Sequence, residues 1–164
     1  MQVASVSDGP QKMLLQLEQL VGEIGALHSK LILLIGPPRV GKTALLVAFG
    51  KRVEAEPLNV GSELGRRLAA IPQKQRHLQA GTELRELADV HAKGDLLLMD
   101  NIELLFDTSL QLNPLDLLKQ HAHTRRVVAV WPGVLRDGRL TYADMGHSEQ
   151  RNYATNGLVP LEMQ

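Results

Sequence analysis

Three runs along the chain are apolar at every position: residues 31–35, 96–99 and 127–131. A strand exposed on one face alternates apolar with polar residues. An unbroken run predicts a strand covered on both faces, as in a parallel sheet flanked by helices. Ahead of the first run and between the runs the period changes to that of a helix. Met13, Leu14, Leu17, Leu20, Val21, Ile24 and Leu27 recur at steps of three and four. They predict one apolar helical face, opened by Asp8-Gly9-Pro10 after a polar lead over residues 1–7. That face suits packing on the core, with docking of a partner as the alternative. Further helices are predicted over 43–52, over 63–71 with Pro72 as terminator, and over 82–92 with Thr82 as cap and Gly94 as stop. A last helix falls within 110–121, its start marked by Asn113-Pro114.

The remaining pattern supplies short strands. Residues 57–61 predict a second strand and 126–131 a fourth, closed by Pro132-Gly133. Asp137-Gly138, flanked by alternation over 135–142, predicts a hairpin. Residues 157–161 predict a last strand, which Pro160 assigns to an edge. Strands alternating with helices define an α/β class with a mostly parallel five-stranded sheet. The expected organisation is a single domain over 1–164, with an N-terminal extension and helix (1–28) and a core (29–164).

Composition narrows the function classes without choosing one. Over 164 residues, 18 basic and 18 acidic side chains give zero formal charge, so no electrostatic footprint announces nucleic acid or an acidic membrane. Aromatic residues make up only 3%, which leaves few stacking platforms for single strands. The absence of cysteine removes disulfides, thiolate zinc sites and thiol nucleophiles. With no secretory leader pattern and no long apolar run, the expected location is the cytoplasm, away from membranes.

Chemistry enters between the first apolar run and the helix that follows it. Gly36-Pro37-Pro38-Arg39-Val40-Gly41-Lys42-Thr43 fits G-x-x-x-x-G-K-S/T, and Ala44 continues into the helix. Glycines at both ends let the backbone curl so that successive N–H groups face inward at a helix N-terminus, a nest for phosphate. Lys42 would reach the β- and γ-phosphates and the Thr43 hydroxyl would ligate Mg²⁺. The expected cofactors are therefore ATP and Mg²⁺. A second feature, LLLMDNIELLF over 96–106, puts Asp100 at the C-terminal end of a buried strand. Parallel sheets present ligand-binding groups there, and Asp100 could hold the same Mg²⁺ through water.

This pair looks like the Walker A and Walker B elements of P-loop NTPases of the additional-strand class, which includes the AAA+ proteins. In that class an acidic residue directly after the aspartate polarises the attacking water. Here Asn101 stands in that place, and an amide can orient water but cannot accept a proton. The nearest acid is Glu103, which could position water or could be a solvated or capping residue. The strand over 126–131 ends in Trp131, where the resembling enzymes carry a polar residue that senses the γ-phosphate. His91, His121, His123 and His147 form no ligand pattern. His121 and His123 lie two apart and face different sides of a helix, so a structural reading holds.

Together, the glycine loop, LLLMDNIELLF, the VVAVWPG strand and the tail DGRLTYADMGHSEQRNY resemble the small P-loop subunit, the F component, of type 3 BREX bacteriophage-defence systems. The resemblance runs from about Leu31 onward. It implies a partner role inside a multi-protein defence system and leaves the activity open. With the motifs, the expectation is an ATP-binding, AAA+-like subunit without a lid domain, hydrolysing ATP weakly or only when assembled with other subunits of the defence complex. A nucleotide-dependent homo-oligomer and direct DNA contact both stay open. In AAA+-like enzymes an arginine finger lies just ahead of the last strand. Arg151 is the matching candidate, with a surface arginine paired to Glu149 as the alternative. Two other readings stay open. One is a nucleotide-stabilised scaffold that does not hydrolyse. The other is a small-molecule kinase, which suits the chain length but lacks an arginine-rich lid segment, having only Arg125, Arg126, Arg136 and Arg139 scattered late in the chain.

Overall fold

The computed structural model describes residues 5–26, 30–142 and 152–164. Five strands form one sheet: β1 (Leu31–Ile35), β2 (Leu58–Asn59), β3 (Leu96–Asp100), β4 (Arg126–Val130) and β8 (Val159–Glu162). Their order is β2-β3-β4-β1-β8 and every neighbouring pair is parallel. The mostly parallel sheet read from the sequence is thus wholly parallel. Register is set by buried neighbours: Leu33 lies opposite Ala129 and Leu98 opposite Val128.

The unbroken apolar runs have a direct explanation. Successive side chains of a strand leave opposite faces, and here both faces are covered. Leu31, Leu33 and Ile35 join Leu97, Met99, Val127, Ala129 and Trp131 in one core. That core is completed by α3 (Val60–Ala69), α4 (Arg76–His91) and α5 (Pro114–His121). Ile32 and Leu34 join Leu96, Leu98, Val128 and Val130 in the other, under α1 (Ser5–Glu23) and α2 (Lys42–Val53). Leu17, Val21 and Ile24 of the first helical stretch are buried against this second core, so its apolar face packs inward. Leu27 lies outside the described residues. Arg52 of α2 reinforces the contact with an ion pair to Glu18 at 2.8 Å.

Several boundaries differ from the sequence expectation, each for a local reason. α1 begins at Ser5 rather than Asp8, with Pro10 inside it. A proline so early removes one bond, to a carbonyl of the first turn, which the helix tolerates. The second strand is two residues long instead of five. Asn59 ends it by accepting a hydrogen bond from the Ser62 N–H at 3.0 Å, which starts α3 at Val60. That helix closes at Ala69, two residues short of Ile71, because the residue before Pro72 is driven out of helical space. Thr82 caps nothing, since α4 starts six residues earlier at Arg76. The buried stripe of α4, Ala80, Leu84, Leu87 and Ala88, begins only in its second turn. An apolar pattern therefore misses the first. Its stop is His91, and Gly94 serves the turn into β3 with a φ of 61°. α5 does start at Asn113-Pro114, the Asn113 side chain accepting from the Asp116 N–H at 3.1 Å.

Beyond β4 the chain builds a second, antiparallel sheet from β5 (Leu135–Arg136), β6 (Arg139–Thr141) and β7 (Asn152–Tyr153). Asp137 and Gly138, both at positive φ (53° and 75°), make the tight turn of the expected hairpin. The third strand has no counterpart in the sequence reading. β8 follows at the edge of the large sheet, where Pro160 leaves no ladder bond unmade in the interior. No helix among the described residues is long and apolar enough to cross a membrane.

Candidate functional site

All five strands of the large sheet point the same way, so their C-terminal ends open on one rim. The turn of residues 36–41 rises from β1 there and passes directly into α2. Gly41, at a φ of 103°, occupies backbone space closed to a Cβ-bearing residue. No side chain caps the first turn of α2 behind it. Helix N-terminal N–H groups without a cap carry partial positive charge and await an acceptor. Pro37, Pro38, Arg39, Thr43 and Ala44 are exposed on this turn, Val40 and Gly41 half-buried, and Gly36 buried. Gly36 must lack a side chain, since a Cβ would run into the Met163 carbonyl oxygen after β8.

Facing this turn is a cleft of about 530 Å³. Lys42, Thr43, Asp100, Asn101 and Glu103 line it together with Pro38, Val130, Pro132, Gly133 and Tyr142. The Thr43 hydroxyl donates to Asp100 Oδ1 at 3.1 Å, across 57 positions of sequence. The Asn101 N–H donates to the same carboxylate oxygen at 2.8 Å, which aims Asp100 at Thr43. Lys42 is half-buried, and its Nζ donates to the carbonyl oxygens of Gly36 at 2.7 Å and Trp131 at 2.9 Å. Burial pushes the Lys42 pKa below that of a free lysine, while the negative charges of Glu103 and then Asp100 pull it back up. Glu103 thus acts electrostatically on the lysine it shares the cleft with.

Asn101 sits at positive φ (53°), and its side-chain amide donates to Asn59 Oδ1 at 2.9 Å. Its carbonyl accepts from the Gly61 N–H at 2.9 Å. The residue therefore joins β3 to the start of α3 while still bordering the cleft. Glu103, in the 3₁₀ turn of Ile102–Phe106, is exposed and lines the same cleft. Arg151, proposed above as an arginine finger, lies outside the described residues. His121 is buried at 8% exposure on α5 and takes no part in the cleft.

The far wall is not written in any motif. Trp131 is fully buried, and its indole N–H donates to the Thr141 carbonyl at 2.9 Å. It offers the cleft a backbone carbonyl, not a side chain. The next turn brings the Gly133 carbonyl against the Gly36 N–H at 3.1 Å. A Cβ on Gly133 would overlap the Thr141 backbone. Phe106 stacks on Tyr142 at 4.1 Å and meets Trp131 edge-on at 5.3 Å. Only Pro132-Gly133, a turn after an apolar strand, hinted at this wall in sequence, because carbonyl acceptors carry no signature.

The donor set suits a magnesium–triphosphate group. Mg²⁺ takes one or two protein oxygens and leaves the remaining positions to phosphates and water. One hydroxyl and one carboxylate, already hydrogen-bonded beside a lysine and an uncapped helix start, meet that requirement. Compared with protein-family models and with curated proteins, the chain matches none.

Proposed function

We propose that the chain is an ATP–Mg²⁺-binding, AAA+-like P-loop subunit of a bacteriophage-defence complex, hydrolysing ATP weakly or only when assembled. The observation that carries the nucleotide reading is the Thr43–Asp100 hydrogen bond with Lys42 in the same cleft. Two motifs far apart in sequence meet where triphosphate chemistry needs them. Strand order supports the additional-strand class, since β4 lies between the strand that leads into the glycine turn and the strand that ends in Asp100. The place in a phage-defence complex of the type 3 BREX kind rests on the motif and tail resemblance.

Bound Mg²⁺ would neutralise developing charge on the phosphates. Thr43 and Asp100 would hold the ion, and Lys42 with the start of α2 would hold the phosphate oxygens. Glu103 is the cleft's free carboxylate and would orient or deprotonate water. Asn101, tied to Asn59, is restricted to orienting. No lid domain covers the cleft among the described residues, so a neighbouring subunit could close it, and its Arg151 would supply charge from the side. Such an arginine is worth ~10³–10⁵ in rate, so an isolated subunit would be nearly inert.

A non-hydrolysing scaffold is the second reading. It is favoured by the committed Asn101 amide and by a Trp131 side chain that turns away from the cleft. Calorimetric titration with ATP–Mg²⁺ tests binding, and single-turnover hydrolysis by the assembled complex separates the two readings. Glu103→Gln should abolish turnover while preserving binding. Full turnover in Glu103→Gln transfers the water-orienting role to Asn101. Mixing Lys42→Ala subunits with Arg151→Ala subunits should restore activity if the arginine acts between copies.

A further inference from the structure

A lysine ammonium has three N–H donors. Lys42 spends two of them on carbonyl oxygens of different origin. Gly36 belongs to the glycine turn. Trp131 directly follows β4, and its own N–H is held by the Leu34 carbonyl at 2.9 Å. The third donor is left for a phosphate oxygen, whose full negative charge attracts the ammonium more strongly than a neutral carbonyl does. A phosphate entering the turn therefore competes with the Trp131 carbonyl for Lys42.

What hangs on Trp131 is the small antiparallel sheet. Its indole N–H holds the Thr141 carbonyl, and the Thr141 N–H and hydroxyl both donate to the Val134 carbonyl, at 2.9 and 3.0 Å. Gly133 lies so close to the Thr141 backbone that a Cβ on it would overlap the Thr141 carbonyl. The opposite wall leads to the same place, because Phe106, three residues after Glu103, packs on both Trp131 and Tyr142.

We infer that Trp131 is a positioning residue that couples phosphate occupancy at Lys42 to the antiparallel sheet β5–β6–β7. In the free chain its carbonyl shares Lys42 with the Gly36 carbonyl of the turn. In the bound chain the carbonyl is released, and the 131–133 turn relaxes together with the Thr141 backbone it grips. The small sheet thereby becomes the part of the molecule whose order reports the nucleotide state. The inference rests on the ATP-binding reading above.

Trp131 is the single tryptophan of the chain, so its emission is a direct readout. Titration with ATP–Mg²⁺, or with a slowly hydrolysed analogue, should change that emission with the midpoint found by calorimetry. Amide exchange at Thr141, whose N–H is bonded within the hairpin, should change severalfold at saturation. Trp131→Phe removes the indole donor while its backbone carbonyl remains; at ATP–Mg²⁺ concentrations that saturate the variant by calorimetry, it should lose the exchange response at Thr141. Calorimetric binding with silent emission and unchanged exchange overturns the coupling and leaves the nucleotide site standing. A Trp131→Phe chain that keeps the full exchange response overturns it as well. Absence of binding by calorimetry removes the ATP reading itself, and the coupling with it. Where Trp131→Phe does not fold, the emission and exchange of the unaltered chain decide.

Discussion

The two walls of the cleft are built from different materials. One is made of side chains: Lys42 and Thr43 from the start of α2, Asp100 from the end of β3, and Glu103 from the turn beyond it. The other is lined by Val130, Pro132, Gly133 and Tyr142 and meets Lys42 and the glycine turn through backbone, the Trp131 and Gly133 carbonyls, with a glycine pressed on Thr141. Thr43 and Glu103 are exposed and Lys42 is half-buried, whereas Trp131 is fully buried. Chemistry on the first wall can therefore be removed one group at a time while the fold stands. On the second wall the functional atoms and the packing are the same atoms, and a substitution strikes both.

The sharpest way to break this contrast is Gly133→Ala. The added methyl meets backbone, which cannot swing aside as a flexible side chain can. Destabilisation of about 3 kcal/mol is expected, at the upper end for overpacking. For a chain of this size that lowers the melting temperature by roughly 6–12 °C. A melting temperature equal to the parent's would mean that the far wall is pliable.

Next in size is Lys42→Ala on the side-chain wall. Losing one charge-assisted partner of the phosphates should weaken ATP–Mg²⁺ binding by ~10–100-fold. Stability should change by less than about 1 kcal/mol, because water can replace the amine at two carbonyls in an open cleft. Parental affinity in calorimetry would remove the site assignment. Asp100→Asn is expected to be milder. It should cost about tenfold in affinity with Mg²⁺ present, near 1.4 kcal/mol, and much less without metal. Equal losses in both conditions would make Asp100 a structural partner of Thr43 only.

The smallest effect comes from outside both walls and serves as their control. Burial, then the Arg125 and Arg85 charges, hold His121 below the ordinary histidine pKa of 6.5, with Asp89 opposing. The unfolded chain then binds this proton more readily than the folded one. Stability is full above about pH 6.5 and declines as the pH falls through the folded-state pKa. Thermal melts between pH 7.5 and 5 should show that decline, and His121→Leu should flatten it. An unchanged slope would assign the acid sensitivity to other groups.

Much of this molecule is written locally. The apolar runs at 31–35, 96–99 and 127–131 determine buried parallel strands by themselves, since only a sheet covered on both faces can absorb them. The glycines at 36 and 41 with Lys42 and Thr43 determine a tight turn that runs into a helix start, and Asp137-Gly138 determines a hairpin. In each case the backbone conformation is dictated by residues within a few positions of one another. Boundaries were less legible where capping or an exposed first turn, as at Asn59 and in α4, replaced the apolar pattern as the deciding term. Only tertiary structure decided that Asp100 meets Thr43, that Lys42 is shared between Gly36 and Trp131, and that Gly133 locks onto Thr141. Those contacts depend on strand order and on main-chain carbonyls. A carbonyl is common to every residue, so no side-chain pattern marks the one that the fold will use.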